Sequence, residues 1–194
     1  MAGQPASVTV LDAPRLRFVA EQDLTPADHA AISALLISAF PQYWDIFGAA
    51  SWYGGRPDHR LWLEEPDGAA VAHLDFERRV IGVGNQEVLV AGVGEVATHP
   101  AWQGQGLGRR LMGELGRVLT TDTPVSFGYL GCREAVVGFY ERVGWHRVRQ
   151  TIRDIDPATG QWTMSEAPTL IRPAMAPLAA WPREGVVDLR GMWW

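Results

Sequence analysis

The sequence predicts an α/β fold, one mixed central sheet with helices on both faces, in a single domain. Three observations carry that prediction. Long runs such as Ala69–Val80 and Glu87–Thr98 read as strands, whereas Thr25–Phe40 and Gly106–Leu119 repeat their apolar residues at helical spacing. The two kinds of run interleave along the chain, the order of a mixed sheet covered by helices. The chain has 194 residues, 47% of them apolar, enough for one full core and too few for two comfortable domains.

Leu16–Glu21 reads as the first strand. Thr25 then caps a helix with Pro26 at its first position and Asp28 in its first turn, and Ile32, Leu35, Leu36 and Phe40 share the apolar face. Pro41–Asp58 is Gly-rich and aromatic (Tyr43, Trp44, Phe47, Trp52, Tyr53), the composition of a binding loop or short helix. Leu61–Glu64 is a strand closed by Pro66-Asp67-Gly68. Ala69–Val80 and Glu87–Thr98 form a hairpin about Gly84-Asn85, and Pro100 stops the second strand. The helix Gly106–Leu119 buries Leu107, Leu111, Leu115 and Val118. Pro124–Leu130 is a strand, Glu134–Val143 a helix ended by Gly144, Trp145–Asp154 a single strand, and Pro157–Gly160 a turn. Thr169–Arg172 is the last predicted strand, and residues 174–194 are expected to form an irregular tail that completes the substrate site.

Composition removes several functions. All 17 basic residues are arginine, so Schiff-base chemistry and a P-loop lysine are excluded. The net charge of −5 argues against a nucleic-acid binder and favours a cationic partner. Cys132 is the only cysteine, which excludes an internal disulfide or a multi-cysteine zinc site, and no metal is expected. No apolar stretch is long enough to span a membrane, and Met1–Val10 lacks the pattern of a signal peptide, so the cytoplasm is the expected location.

The chemistry concentrates in Val96-Ala97-Thr98-His99-Pro100-Ala101-Trp102-Gln103-Gly104-Gln105-Gly106-Leu107-Gly108-Arg109-Arg110. A strand ends at Pro100, a turn with alternating glycines follows, and a helix begins at once. Glycines let main-chain amides converge without side chains in the way, and the helix N-terminus adds free N–H donors and partial positive charge. The segment therefore suits a pyrophosphate, with Arg109 and Arg110 available for further oxygens. A Walker A loop needs Gly-Lys-Ser/Thr, which is absent, and the loose Gly92-x-Gly94 match to a dinucleotide fingerprint lies inside a continuing strand.

Gln103-Gly104-Gln105-Gly106-Leu107-Gly108 resembles the coenzyme A pyrophosphate loop of the GNAT acetyltransferases. Phe139-Tyr140-Glu141-Arg142-Val143-Gly144-Trp145 resembles a second stretch of that superfamily, with Val136 in place of the usual Ala and Arg133 where Asn often stands. The resemblance implies a GNAT fold and acetyl-coenzyme A as cosubstrate, held by Val96, Ala97, Thr98, Gln103, Gly104, Gln105, Gly106, Leu107, Gly108 and Arg109. It also implies direct transfer to an amine, with amides near Val96 and Thr98 polarising the thioester and Tyr140 protonating the leaving thiolate.

Over most of its length the chain resembles the aminoglycoside 2'-N-acetyltransferases, and it is also similar to the NodA N-acyltransferases, which acylate a chitooligosaccharide amine. The NodA-like residues are Ser51–Arg60, Arg78-Arg79, Trp181-Pro182 and Asp188-Leu189-Arg190; the aromatic ending Gly191-Met192-Trp193-Trp194 is shared with the aminoglycoside group. Both imply a small-molecule amino-sugar acceptor, with aminoglycoside 2'-N-acetylation and antibiotic resistance as the main expectation and kasugamycin as a specific case. A homodimer is compatible with the sequence. The implied substrate contacts are Asp45, Glu95, Glu166 and the terminal carboxylate of Trp194. Glu95 is the leading base, although the aminoglycoside group carries its Glu one position earlier, at Gly94. Strict alternation turns Glu95 to the opposite face, and a β-bulge restores it. His73, Asp75 and His99 are the alternatives. Rival readings stay open: a NodA-like fatty acyltransferase on a glycan amine, a GNAT enzyme for protein or peptide amines, and a non-catalytic acetyl-coenzyme-A-binding module.

Overall fold

The computed structural model describes residues 13–194. The expectation for Met1–Val10 lies outside the described residues.

Strand β1 (Arg15–Ala20) pairs antiparallel with β2 (His59–Glu64), which pairs with the first half of β3 (Ala70–Val83). Between β1 and β2 run α1 (Pro26–Ala39) and the short α2 (Trp44–Ala49). Thr25 and Asp28 close the start of α1 reciprocally: the Asp28 N–H donates to Thr25 Oγ1 and the Thr25 N–H to Asp28 Oδ2. β3 and β4 (Gln86–Thr98) form the long central hairpin. Then come α3 (Leu107–Thr121), β5 (Phe127–Gly131) and α4 (Val137–Arg142), the last entered through a 3₁₀ turn at Glu134–Val136. Beneath the predicted α3 face, Met112 and Leu119 are buried as well.

Two expectations fail after α4. Trp145–Asp154 is two strands, β6 (His146–Val148) and β7 (Ile152–Ile155), because β6 pairs with β9 (Thr169–Pro173) while β7 pairs with β8 (Trp162–Ser165) and β10 (Val187–Met192). One unbroken strand cannot serve such separate partners. The tail at 174–194 is irregular only in its first part, with one 3₁₀ turn at Leu178–Ala180, and then forms the strand β10. β2 covers only the first half of the outer edge of β3, and β10 takes the far end through Val187↔Val83 and Asp188↔Gly82. The sheet runs β6-β9-β5-β4-β3-β10-β7-β8, with β2 and β1 branching from β3.

Period-two alternation sends β5 side chains into two cores. Leu130 joins the cluster under α3 and α4, whereas Phe127 and Tyr129 join a helix-free cluster with Trp181, Ile152 and Leu189. β4 and β5 pair in parallel only from Val90↔Phe127 to Gly92↔Tyr129. Beyond Gly92 they separate, and the main-chain groups of β4 on that edge lose their ladder partners.

Candidate active site

The gap between the diverging strands opens into a cleft of about 810 Å³. Its walls include Val96, Ala97, Thr98, Gln103, Gly104, Gly106, Leu107, Gly108 and Arg109, together with Glu95 of β4, Tyr140 of α4 and Trp194 of the tail. The glycine loop fits a phosphate group. Gly106 is the N-cap of α3 in the left-handed region (φ 82°), which an L side chain rarely adopts, and no side chain caps the helix. The first-turn amides are thus left for a ligand. Gly104 is also left-handed, at φ 78°, and the Gln103 side chain donates through Nε2 to the Thr98 carbonyl, tying the loop to the strand end.

Gln105 and Arg110 depart from the expected arrangement. The Gln105 side chain turns back to the Ala101 carbonyl and does not line the cleft. Arg110 donates to the Pro14 carbonyl and is used as a tether to the chain before β1.

Glu95 reaches the site through the bulge. His73 faces Ala97 and Asp75 faces Gly94, so β4 carries one residue more than β3 across this step, and Glu95 takes a positive φ of 43°. Its side chain is buried against Arg60, Asp75 and the Tyr53 amide, which donates to Oε1 at 2.5 Å. Arg60, 0% exposed, is the hub: its Nε donates to Glu21 at 2.7 Å, and its Nη1 to Asp75 at 2.9 Å and to the Ser51 carbonyl at 2.7 Å. Burial, then the charge of Asp75 and a hydrogen bond with it, hold the Glu95 carboxyl well above the usual carboxylate range; Arg60 and the Tyr53 amide oppose this less strongly. One arginine, Arg60, thus faces three buried carboxyl groups, and Glu95 is the one whose ionisation is held back.

The alternative bases are otherwise engaged. His73 is fully buried, which pushes its pKa down to about 4; its Nδ1–H donates to the Glu95 carbonyl at 3.0 Å, and Nε2 faces Arg60. His99 accepts from the Ala101 amide and caps the 3₁₀ turn at Pro100. Tyr140 is raised above the ordinary phenol value by burial first and by Cys132 second, so its phenol stays neutral. Burial likewise raises Cys132, with Glu134 adding to the effect, and leaves a thiol rather than a nucleophilic thiolate.

The tail closes the far side. The Trp193 ring meets Tyr53 edge-on at 5.2 Å, and the Gly55 amide donates to the Trp193 carbonyl. The Trp194 indole lies on Gly92, where a Cβ would fall 1.8 Å from its Cε2, and Arg79 sits over the ring at 4.6 Å while donating to the Leu189 and Met192 carbonyls. Gly94 has no room for a side chain, since a Cβ there would lie 2.9 Å from both Asp75 Oδ1 and the Trp194 main chain. The glutamate that the aminoglycoside group carries at this position has no counterpart here. Asp45, in the first turn of α2, and Glu166, between β8 and β9, are exposed and line neither this cleft nor the neighbouring chamber. Arg60 and Arg79 went unassigned in the sequence, although both lie in segments singled out there.

Among the described residues, no group of three or more His, Cys, Asp and Glu side chains is arranged to hold a metal ion, and no helix is long and apolar enough to cross a membrane.

Comparison with known proteins places this geometry. A family model described as Nodulation protein A (NodA) matches residues 14–192. Nodulation protein A of Rhizobium leguminosarum bv. trifolii is 26% identical over 193 residues, spanning 91% of this chain and 96% of its own. That of Methylobacterium nodulans is 28% identical over 192 residues, spanning 91% and 88%. Among solved structures, the Escherichia coli GNAT family N-acetyltransferase YhbS in complex with CoA superposes with a TM-score of 0.62 at 20% identity, covering 97% of this chain and 93% of its own. An acyl-CoA N-acyltransferase from Pseudomonas aeruginosa gives 0.56 at 21%, covering 81% and 98%. Aminoglycoside 2'-N-acetylation and antibiotic resistance draw no support from these relatives. Built on the GNAT fold and matched from β1 to β10 by the NodA model, the chain belongs to the Nodulation protein A family and is an N-acyltransferase.

Proposed function

We propose that the protein transfers an acyl group from a coenzyme A-type thioester to the free amine of an amino sugar within a glycan. The observation that carries this reading is a single cleft lined both by the glycine loop and by Glu95, Trp193 and Trp194. Phosphates and an aminated ring need opposite electrostatics. Free helix amides and Arg109 suit the first, and carboxyl groups flanked by aromatic rings suit the second.

The thioester supplies an activated carbonyl and a thiol leaving group. In this reading the amides of the bulged β4 segment around Val96 bond the carbonyl oxygen, where they compete with no strand partner. Glu95 accepts the amine proton in its carboxylate form; the raised pKa makes that form a stronger base and its population grow with pH. Tyr140 donates to the departing sulfur. Asp45 and Glu166 meet parts of the glycan outside the cleft. Family membership and the blocked Gly94 position support a glycan amine, and a longer acyl donor, over an aminoglycoside.

Thiol release tests this with acetyl- and palmitoyl-coenzyme A as donors and glucosamine oligomers, aminoglycosides and peptides as acceptors. Turnover with the free-amine oligomers is expected. Turnover confined to peptides, or thioester binding without turnover on any amine, refutes it.

A further inference from the structure

Three arginines line the cleft: Arg109 in the first turn of α3, Arg133 just before the 3₁₀ turn that enters α4, and Arg142 at the end of α4. All three are exposed, and no carboxylate among the described residues pairs with any of them, whereas Arg117 and Arg147 nearby are held by Glu114 and Glu134. The one acidic side chain in the cleft wall, Glu95, is engaged with Arg60 and the Tyr53 amide. In a chain of net charge −5 this is a local excess of positive charge, the kind of lining that concentrates an anionic ligand.

Two of the three exceed what a diphosphate requires. The free amides at the start of α3, with Arg109 beside them, already provide for that group. Arg133 stands where the resembled stretch often has Asn, so it adds a charge that this stretch does not need. Arg142 is aimed back along α4. Side chains tilt toward a helix N-terminus, and a Cβ on Gly138, one turn earlier, would fall 3.3 Å from Arg142 Nη1. Glycine at 138 thus leaves the guanidinium room to lie toward the end of α4 where Arg133 stands.

Coenzyme A carries a second anionic group, the 3'-phosphate of its ribose, a monoester of about −1.5 to −2 charges at pH 7. A pantetheine arm borne on a protein serine ends in one singly charged phosphodiester and has no counterpart to it. We infer that Arg133 and Arg142 bind the 3'-phosphate of coenzyme A and so select a free nucleotide thioester over a protein-borne pantetheine arm. The inference rests on the proposed coenzyme A-type donor and names its class.

Calorimetry with coenzyme A and 3'-dephospho-coenzyme A tests it on the wild type and on a variant carrying both Arg133→Gln and Arg142→Gln. The wild type is expected to bind coenzyme A roughly 10-fold tighter, the low end for a charge-assisted hydrogen bond at an exposed site. The double variant is expected to lose that preference while its Kd for the dephospho form changes less than about twofold. With a glucosamine tetramer as acceptor, kcat/KM is expected to be higher for palmitoyl-coenzyme A than for a palmitoyl thioester on a carrier protein, and the variant is expected to narrow the gap. Equal wild-type affinity for the two nucleotides, or equal weakening of both in the variant, overturns the inference and leaves the proposed function standing. Faster transfer from the protein-borne arm overturns the donor selection. The nucleotide preference without turnover of any amine upholds the inference and refutes the proposed function. No affinity for either nucleotide overturns both.

Discussion

Replacing Glu95 with Gln interrogates the buried carboxyl cluster directly. In the folded protein Glu95 holds its proton to higher pH than an ordinary carboxyl group, because burial and Asp75 raise its pKa. In the unfolded chain a glutamate titrates near ~4.3. Folding above that value therefore takes up a proton, and the sign follows. The folded state is favoured fully below the unfolded pKa, and this contribution is lost as pH rises toward the folded pKa. Gln reproduces the protonated side chain: its oxygen accepts from the Tyr53 amide, its nitrogen donates to Asp75, and it does not titrate. For one proton, each pH unit inside the interval is worth at most about 1.4 kcal/mol. In a chain of this length 1 kcal/mol moves Tm by roughly 2–4 °C. The variant should match the wild type near pH ~4 and then gain up to roughly 3–6 °C per pH unit while the pH stays within that interval. Circular-dichroism melts of both proteins from acid to neutral pH give the comparison. Parallel Tm curves would mean that Glu95 is ionised when folded, and the account of the cluster would fail. Thiol release by the same variant should drop about 10²-fold or more if Glu95 is the base.

Two further outcomes follow from the same geometry. Tyr140→Phe keeps the ring in its packing site and should lower kcat about 10²-fold while leaving the thioester Kd unchanged; wild-type turnover would remove Tyr140 from the reaction. Arg60→Met takes the cation from buried Asp75 and Glu95 and leaves Glu21 only its longer contact to Arg56; it should cost roughly 3–5 kcal/mol in urea denaturation, and a loss below about 1 kcal/mol would show that the cluster relaxes without its hub.

Local chemistry made much of this protein legible. Capping at Thr25, the hairpin about Gly84-Asn85, the face of α3 and the glycine loop all arise from residues close in sequence, where spacing alone dictates who meets whom. Their positions followed from periodicity, and the glycine loop followed from the conformational freedom of Gly104 and Gly106. The bulge that turns Glu95 into the site was foreseeable only as a device, because the extra residue is defined by its register against β3.

What the tertiary structure alone decided involves partners far apart in the chain. Residues 187–190 alternate apolar and polar over too short a run to read as a strand, and the free end of the β3 edge makes them one; the same edge explains why Trp145–Asp154 breaks between two pairings. Arg60 gave no sign of being a buried hub, since its partners Glu21, Ser51 and Asp75 come from three other segments. Tyr129 looked like any strand tyrosine until β7, β8 and β10 closed over it. Periodicity and turn chemistry operate over a few residues, so sequence by itself determined the elements from β1 to α4 and the glycine loop. Which edges pair, which charges are buried together and where a cavity remains depend on long-range contacts, and those belonged to the folded chain.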